Sequence, residues 1–117
     1  MSAEQQLYAA LSAYAPLASI VAARIWPDVI PEDGQLPAVV YARHETEPIV
    51  TLSGVLAAEF VDMAIGCWAI SRGAADAAAD AVIAALLAAG HGYGNRNAGF
   101  DAETGLFVTN VAITVMA

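Results

Sequence analysis

At 117 residues the chain has one-domain size, enough for a single hydrophobic core over residues 1–117 and too little for a separate catalytic module. Twelve carboxylates against four arginines and no lysine give a net charge of −8, which excludes the cationic surface that nonspecific nucleic-acid binding needs. Hydrophobic residues reach 59%, but much of that is alanine, which buries little area, so a mean hydropathy of +0.60 is no membrane signature.

Leu7, Leu11 and Tyr14 fall four and three apart, which predicts an amphipathic helix over 3–14. No basic residue precedes its apolar positions, so it does not read as a signal peptide, and the expected location is the cytoplasm where the chain is made. Pro16 ends or restarts this helix, and Leu17, Ile20 and Val21 keep helical spacing for one more turn.

Residues 24–43, RIWPDVIPEDGQLPAVVYAR, then change the character of the chain. Pro27 biases Trp26 away from helix, so Ile25 and Trp26 are expected in an extended edge segment. Pro31 and Pro37 bracket Glu32, Asp33 and Gly34, a turn from which the chain must leave extended. Taken by itself, the stretch is a rigid connector delivering a strand. That strand, over 38–45, alternates Val39, Tyr41, Arg43 and Glu45 against Ala38, Val40, Ala42 and His44, and it is expected to be covered over its first half only.

A longer strand over 58–70 sets Val61, Met63, Ile65 and Cys67 against Phe60, Asp62, Ala64, Gly66 and Trp68, and pairs antiparallel with the first. Residues 46–57 between them read as a long loop exposing Ile49, Val50 and Leu52, in need of a partner. Ser71 or Gly73 caps the next helix, which runs to residue 89 with Ala79, Val82, Ile83, Leu86 and Leu87 as its sheet-facing stripe. Its helical stretch 77–90 is interrupted by Asp80 and falls short of the roughly 20 apolar residues that span a bilayer. Strands over 95–100 and 106–116 close the chain, joined by a short turn at 101–105. The expected fold is α+β: an antiparallel-dominated sheet of about four strands, two main helices on one face, in the order α-β-β-α-β-β.

Candidate chemistry is sparse. Asp76 and Asp80 share a helix face but have no histidine or second acidic pair beside them, so they read as a solvated face. Asp28, Glu32 and Asp33 lack the ligand density of a calcium loop, and His44, His91 and Cys67 complete no zinc set. The glycine-rich run after residue 90 follows a helix, where a phosphate cradle would precede one, and no Gly-x-Ser-x-Gly elbow surrounds Ser53. Cys67 reads as a buried thiol and Trp68 as core, while Trp26 divides evenly between core and contact surface. No enzyme, cofactor or metal site is expected.

The Arg-Ile-Trp-Pro entry, the spaced prolines and the Leu-Pro opening onto Val-Val-Tyr together resemble the tail terminators, the small tail-completion proteins of long-tailed bacteriophages. The likeness continues through the strand ending at Trp68, the Ala- and Asp-rich helix after Ser71, and the closing apolar strand from Leu106 to Val115. Gly66 departs from it, at a position where the family more often carries a polar residue. The resemblance implies a structural protein of a virion or a phage-like gene transfer agent. Its form would be a homo-oligomeric ring, commonly a hexamer, that caps the head-proximal end of the tail tube, stops tube growth and docks the head connector or stopper. DNA would pass through the lumen unbound, past a wall whose acidity repels phosphate. Its interface candidates are Arg24, Trp26, Asp28, Glu47, Ile49, Val50, Thr51, Leu52 and Val55. Rival readings are a head-completion or adaptor protein of the same neck, a small ligand-binding regulatory α+β domain using the acidic loop, and a hydrolase, which lacks every usual constellation.

Overall fold

The computed structural model describes residues 2–31, 34–50, 54 and 56–116, with side chains at all of these except 49, 50 and 56–58. Among them, two short helices, α1 (Ala3–Ser12) and α2 (Ala15–Val21), lead into strands β1 (Ile25–Pro27), β2 (Ala38–Val50) and β3 (Leu56–Ala69). Helix α3 (Arg72–Ala88) and strands β4 (Asn95–Asp101) and β5 (Leu106–Met116) complete the order. The sheet runs β1-β2-β3-β5-β4, antiparallel except at β1, which lies parallel to β2 with Ile25 opposite Val39 and Pro27 opposite Tyr41.

The helices start where local chemistry starts them. Ser2 and Gln5 form a reciprocal capping box on α1, and Ser71 Oγ accepts from the Ala74 amide at the head of α3. Pro16 restarts the chain as α2, occupying a first-turn position where its missing amide is no loss.

All three helices lie on one face. Leu7, Leu11, Leu17, Val21, Val82 and Leu86 from the helices meet Val39, Val61, Met63, Ile65, Cys67, Val111, Ile113 and Val115 from the sheet in one buried cluster. The alanines of α3 are part of the packing: Ala75, Ala78, Ala79 and Ala85 are buried, and their small side chains let α3 press against the sheet and both short helices. Leu87, expected on the packed stripe, is instead 59% exposed, because Ala78 and Ala85 set the buried face one step round the helix.

Three other expectations change. Among the described residues the sheet has five strands and the helices number three, since β1 is a strand in its own right and α2 a separate helix. Residues 46–50 and 56–57 belong to β2 and β3, so most of the expected loop is a paired ribbon. Trp68, expected in the core, is half-buried on the sheet face away from the helices, because its alternation partners Ile65 and Cys67 take the helix side through their own parity.

Candidate functional site

The face of the sheet that no helix covers among the described residues carries Trp26, Val40, Gly66, Trp68, Val108 and Asn110, the even-numbered neighbours of the odd-numbered core residues. Two parallel strands cannot be joined by a hairpin, so the chain between β1 and β2 must cross over the sheet. Here the crossover is the proline-spaced segment 28–37, and it passes over the open face, where Val29, Ile30, Pro31, Gly34 and Leu36 line a cavity against Val40 and Trp68. The β4–β5 turn forms the far rim with Asp101, Thr104 and Leu106, and the result is an open groove of about 580 Å³.

Glycine permits a close approach twice in this construction. A Cβ on Gly34 would lie 2.6 Å from Ile30 Cγ2 and 3.0 Å from the Pro31 carbonyl oxygen, so only glycine closes the crossover this tightly. A Cβ on Gly66 would lie 3.0 Å from Trp68 Nε1. Gly66 is therefore the seat on which the Trp68 indole rests.

Asp28 enters the cavity from the end of β1 with φ of 64°, a left-handed conformation that aspartate tolerates better than most residues. Its amide donates to the Tyr41 carbonyl at 2.9 Å, which holds the backbone there. Asp101, at the opposite rim, accepts from the Glu103 amide at 3.0 Å through one carboxylate oxygen. Trp26 points to the same open face as Val40, and its indole N–H is buried without a partner among the described residues.

Arg24 has a structural part beside these residues. Its Nε donates to the Pro37 carbonyl at 2.9 Å and its Nη2 to the Ile20 carbonyl at 3.3 Å, so it ties the Pro37 end of the crossover to α2. Glu47 is exposed on the β2–β3 ribbon, eight residues along β2 from Val39 and so roughly 25 Å from the Arg24 region at about 3.3 Å per residue. The interface candidates thus divide into two groups at opposite ends of β2. Ile49 and Val50 pair through their backbones with Ala58 and Leu56, and Thr51, Leu52 and Val55 lie outside the described residues.

The ribbon itself is an arm. β5 stops opposite Phe60 at Met116, and β2 and β3 continue past it as a two-stranded pair, bent by a register shift between Arg43 and Glu45 that leaves His44 unmatched. Two strands without a third are marginal in water, so the arm is a segment that gains from contact with another surface.

All four arginines are held inside the chain. Arg43 donates to Glu4 at 2.6 Å, which holds that carboxyl below its ordinary value. Arg72 donates to the Val108 and Gly99 carbonyls and to Thr109 Oγ1, with its guanidinium 5.5 Å from the Phe107 ring centroid. The Thr109 hydroxyl in turn donates to Asp76 at 2.7 Å, and this bond, with Arg72 and Arg96 nearby, holds the Asp76 carboxyl below its usual range. Arg96 donates to Asp80 at 2.6 Å. Asp76 and Asp80, which read as a solvated face, therefore latch α3 to β4 and β5. Asp28, Glu45, Glu47, Asp62, Asp101 and Glu103 take part in none of the four ion pairs found among the described residues.

Burial pushes the Cys67 thiol up to about 12, so it stays protonated at neutral pH and is a poor nucleophile. Among the described residues no group of three or more His, Cys, Asp or Glu side chains converges, and no helix is long and apolar enough to cross a membrane.

The pocket lining was hidden from local pattern because it joins three separate segments. One signal was available: Gly66 and Trp68 share a strand face two residues apart, the spacing at which a missing side chain makes room for a large neighbour.

Comparison with known proteins fits this architecture. The family model described as "Tail completion protein gp17" matches residues 5–114. No curated protein matches the chain. Among solved structures, a chain of the "Virion of native gene transfer agent (GTA) particle" superposes with a TM-score of 0.74 at 20% identity, covering 98% of this chain and 93% of that one, and so shares its fold.

Proposed function

This chain belongs to the phage tail completion protein gp17 family, and from that premise we propose that it is a tail terminator acting as one unit over residues 1–117. Copies assemble into a ring, six in number, on the head-proximal end of the tail tube of a phage or a gene transfer agent. One face of the ring complements the last tube ring, while the other lacks the surface a further tube subunit needs and docks the head connector or stopper. Assembly takes place in the cytoplasm of the producing bacterium, and the ring then remains in the particle neck. The protein is a structural part and carries out no catalysis.

The observation that carries this reading is family membership along nearly the whole chain, from residue 5 to 114. Two features of the fold support it. The β2–β3 arm projects beyond the third strand, as suits a subunit that reaches a neighbour, and Glu47, Ile49, Val50, Thr51, Leu52 and Val55 are its contact candidates. Arg24, Trp26 and Asp28 form the second contact region at the β1 edge. With each arginine engaged internally, the free charge is acidic, which favours a lumen that DNA slides through without binding.

The test is to polymerise tail-tube subunits with and without this protein, while weighing its assemblies in solution and on tube ends. Rings at one tube end and arrested growth are expected. A stable monomer that neither binds tube ends nor limits tube length would sink the proposal.

A further inference from the structure

We propose that the cavity between the crossover segment 28–37 and the β4–β5 turn is a docking pocket for one arginine side chain supplied by a different protein of the assembly. Its walls suit the two halves of such a side chain. Val40, Leu36 and Leu106 offer apolar surface to the aliphatic stem, and Trp68 adds an aromatic surface against which a guanidinium is attracted. Asp28 and Asp101 line two sides, neither forms an ion pair among the described residues, and Thr104 adds a hydroxyl-bearing residue. The volume, about 580 Å³, lies in the range of sites that hold small ligands.

Charge decides the occupant. A second copy of this chain has no lysine, and its four arginines are bonded to their own backbone or carboxylates. Filling the pocket from a second copy would break one of those internal sets. A nucleic acid is repelled by the same carboxylates. A protruding basic residue of another protein meets neither obstacle, and arginine suits the site better than lysine because its planar, weakly hydrated head stacks on tryptophan and spans two acceptors.

The site is built with strain and close contact. Asp28 holds a left-handed backbone, Gly66 gives up its side chain so that the Trp68 indole can lie on β3, and Gly34 brings the crossover within contact of Ile30. Residues in such conformations concentrate where a site needs fixed geometry.

The proposal rests on the assembly reading only for the source of the arginine, and it is tested on the isolated full chain. The isotope-labelled protein is titrated with acetyl-arginine methylamide and, separately, with its neutral isostere acetyl-citrulline methylamide, following amide and indole N–H resonances. The arginine compound is expected to shift the Trp68 indole and the amides of Asp28, Asp101 and Thr104 saturably, and the citrulline compound to bind several-fold more weakly. D28N and D101N should each weaken binding by up to about fivefold, as for partly exposed charge pairs, while leaving the spectrum dispersed. Equal response to citrulline, shifts confined to the acidic arm, or unchanged affinity in the folded double variant would each overturn the proposal. Arginine binding without arrest of tube growth would remove the terminator reading and leave the pocket standing, and the reverse result would do the opposite.

Discussion

The two faces of the sheet are made from the same strands and treat their residues in opposite ways. On the helix side, Val61, Met63, Ile65 and Cys67 are sealed beneath α1, α2 and α3, and side-chain volume is conserved by mutual packing. On the other side Phe60, Gly66 and Trp68 alternate with them, and only the crossover segment and a β-turn lie over the sheet, leaving a cavity. The packed core therefore lies on one face and the proposed pocket on the other.

Substitution on the covered face should have the largest effect. Leu86 is fully buried, so Leu86→Ala is expected to lower unfolding free energy by about 2–5 kcal/mol, measured by urea denaturation. A loss below about 1 kcal/mol would break the division between the faces.

The latch at the sheet margin should rank next. Thr109→Val removes the hydroxyl that donates to Asp76 and accepts from Arg72. Because the folded-state Asp76 carboxyl lies below its ordinary value of 3.8, the stabilisation is present above that value and is lost as pH falls through the depressed one. The variant should be less stable at neutral pH, and its urea midpoint should converge with that of the parent below the window. Parallel pH profiles would show that the bond does not set the titration.

Gly66→Ala sharpens the contrast from the open side. The added Cβ forces the Trp68 indole to shift, while the loss of glycine's unfolded-state freedom offsets part of that, so stability should change by less than about 1 kcal/mol. The indole resonance and the near-UV circular dichroism should nonetheless move, and arginine affinity should fall. The smallest effect is expected at Arg43→Ala, which removes an ion pair whose partners are 37% and 41% exposed and should leave the urea midpoint unchanged within error.

Much of this was legible in the residues. Alternation located β2, β3 and β5 within two residues at most ends apart from the arm, Ser71 marked the start of α3, and Gly90 its end. The arm was misread as a loop because Glu45, Glu47 and Pro48 break the apolar alternation, and a ribbon exposed on both faces has no such alternation to display. Asp76 and Asp80 were misread because their partner, Arg96, lies on another element. The pocket was missed for the same reason, since Asp28, Trp68 and Asp101 are distant in the chain.

By itself the sequence determined α1, α3 and the paired cores of β2, β3 and β5, the acidic balance and the proline-limited path from Arg24 to Arg43, because periodicity, charge and backbone restriction are local properties. Only the tertiary structure decided that β1 runs parallel to β2. From that one pairing follow the crossover, the face it covers and the cavity beneath it, because strand direction is set by long-range hydrogen bonding and packing that no local pattern encodes.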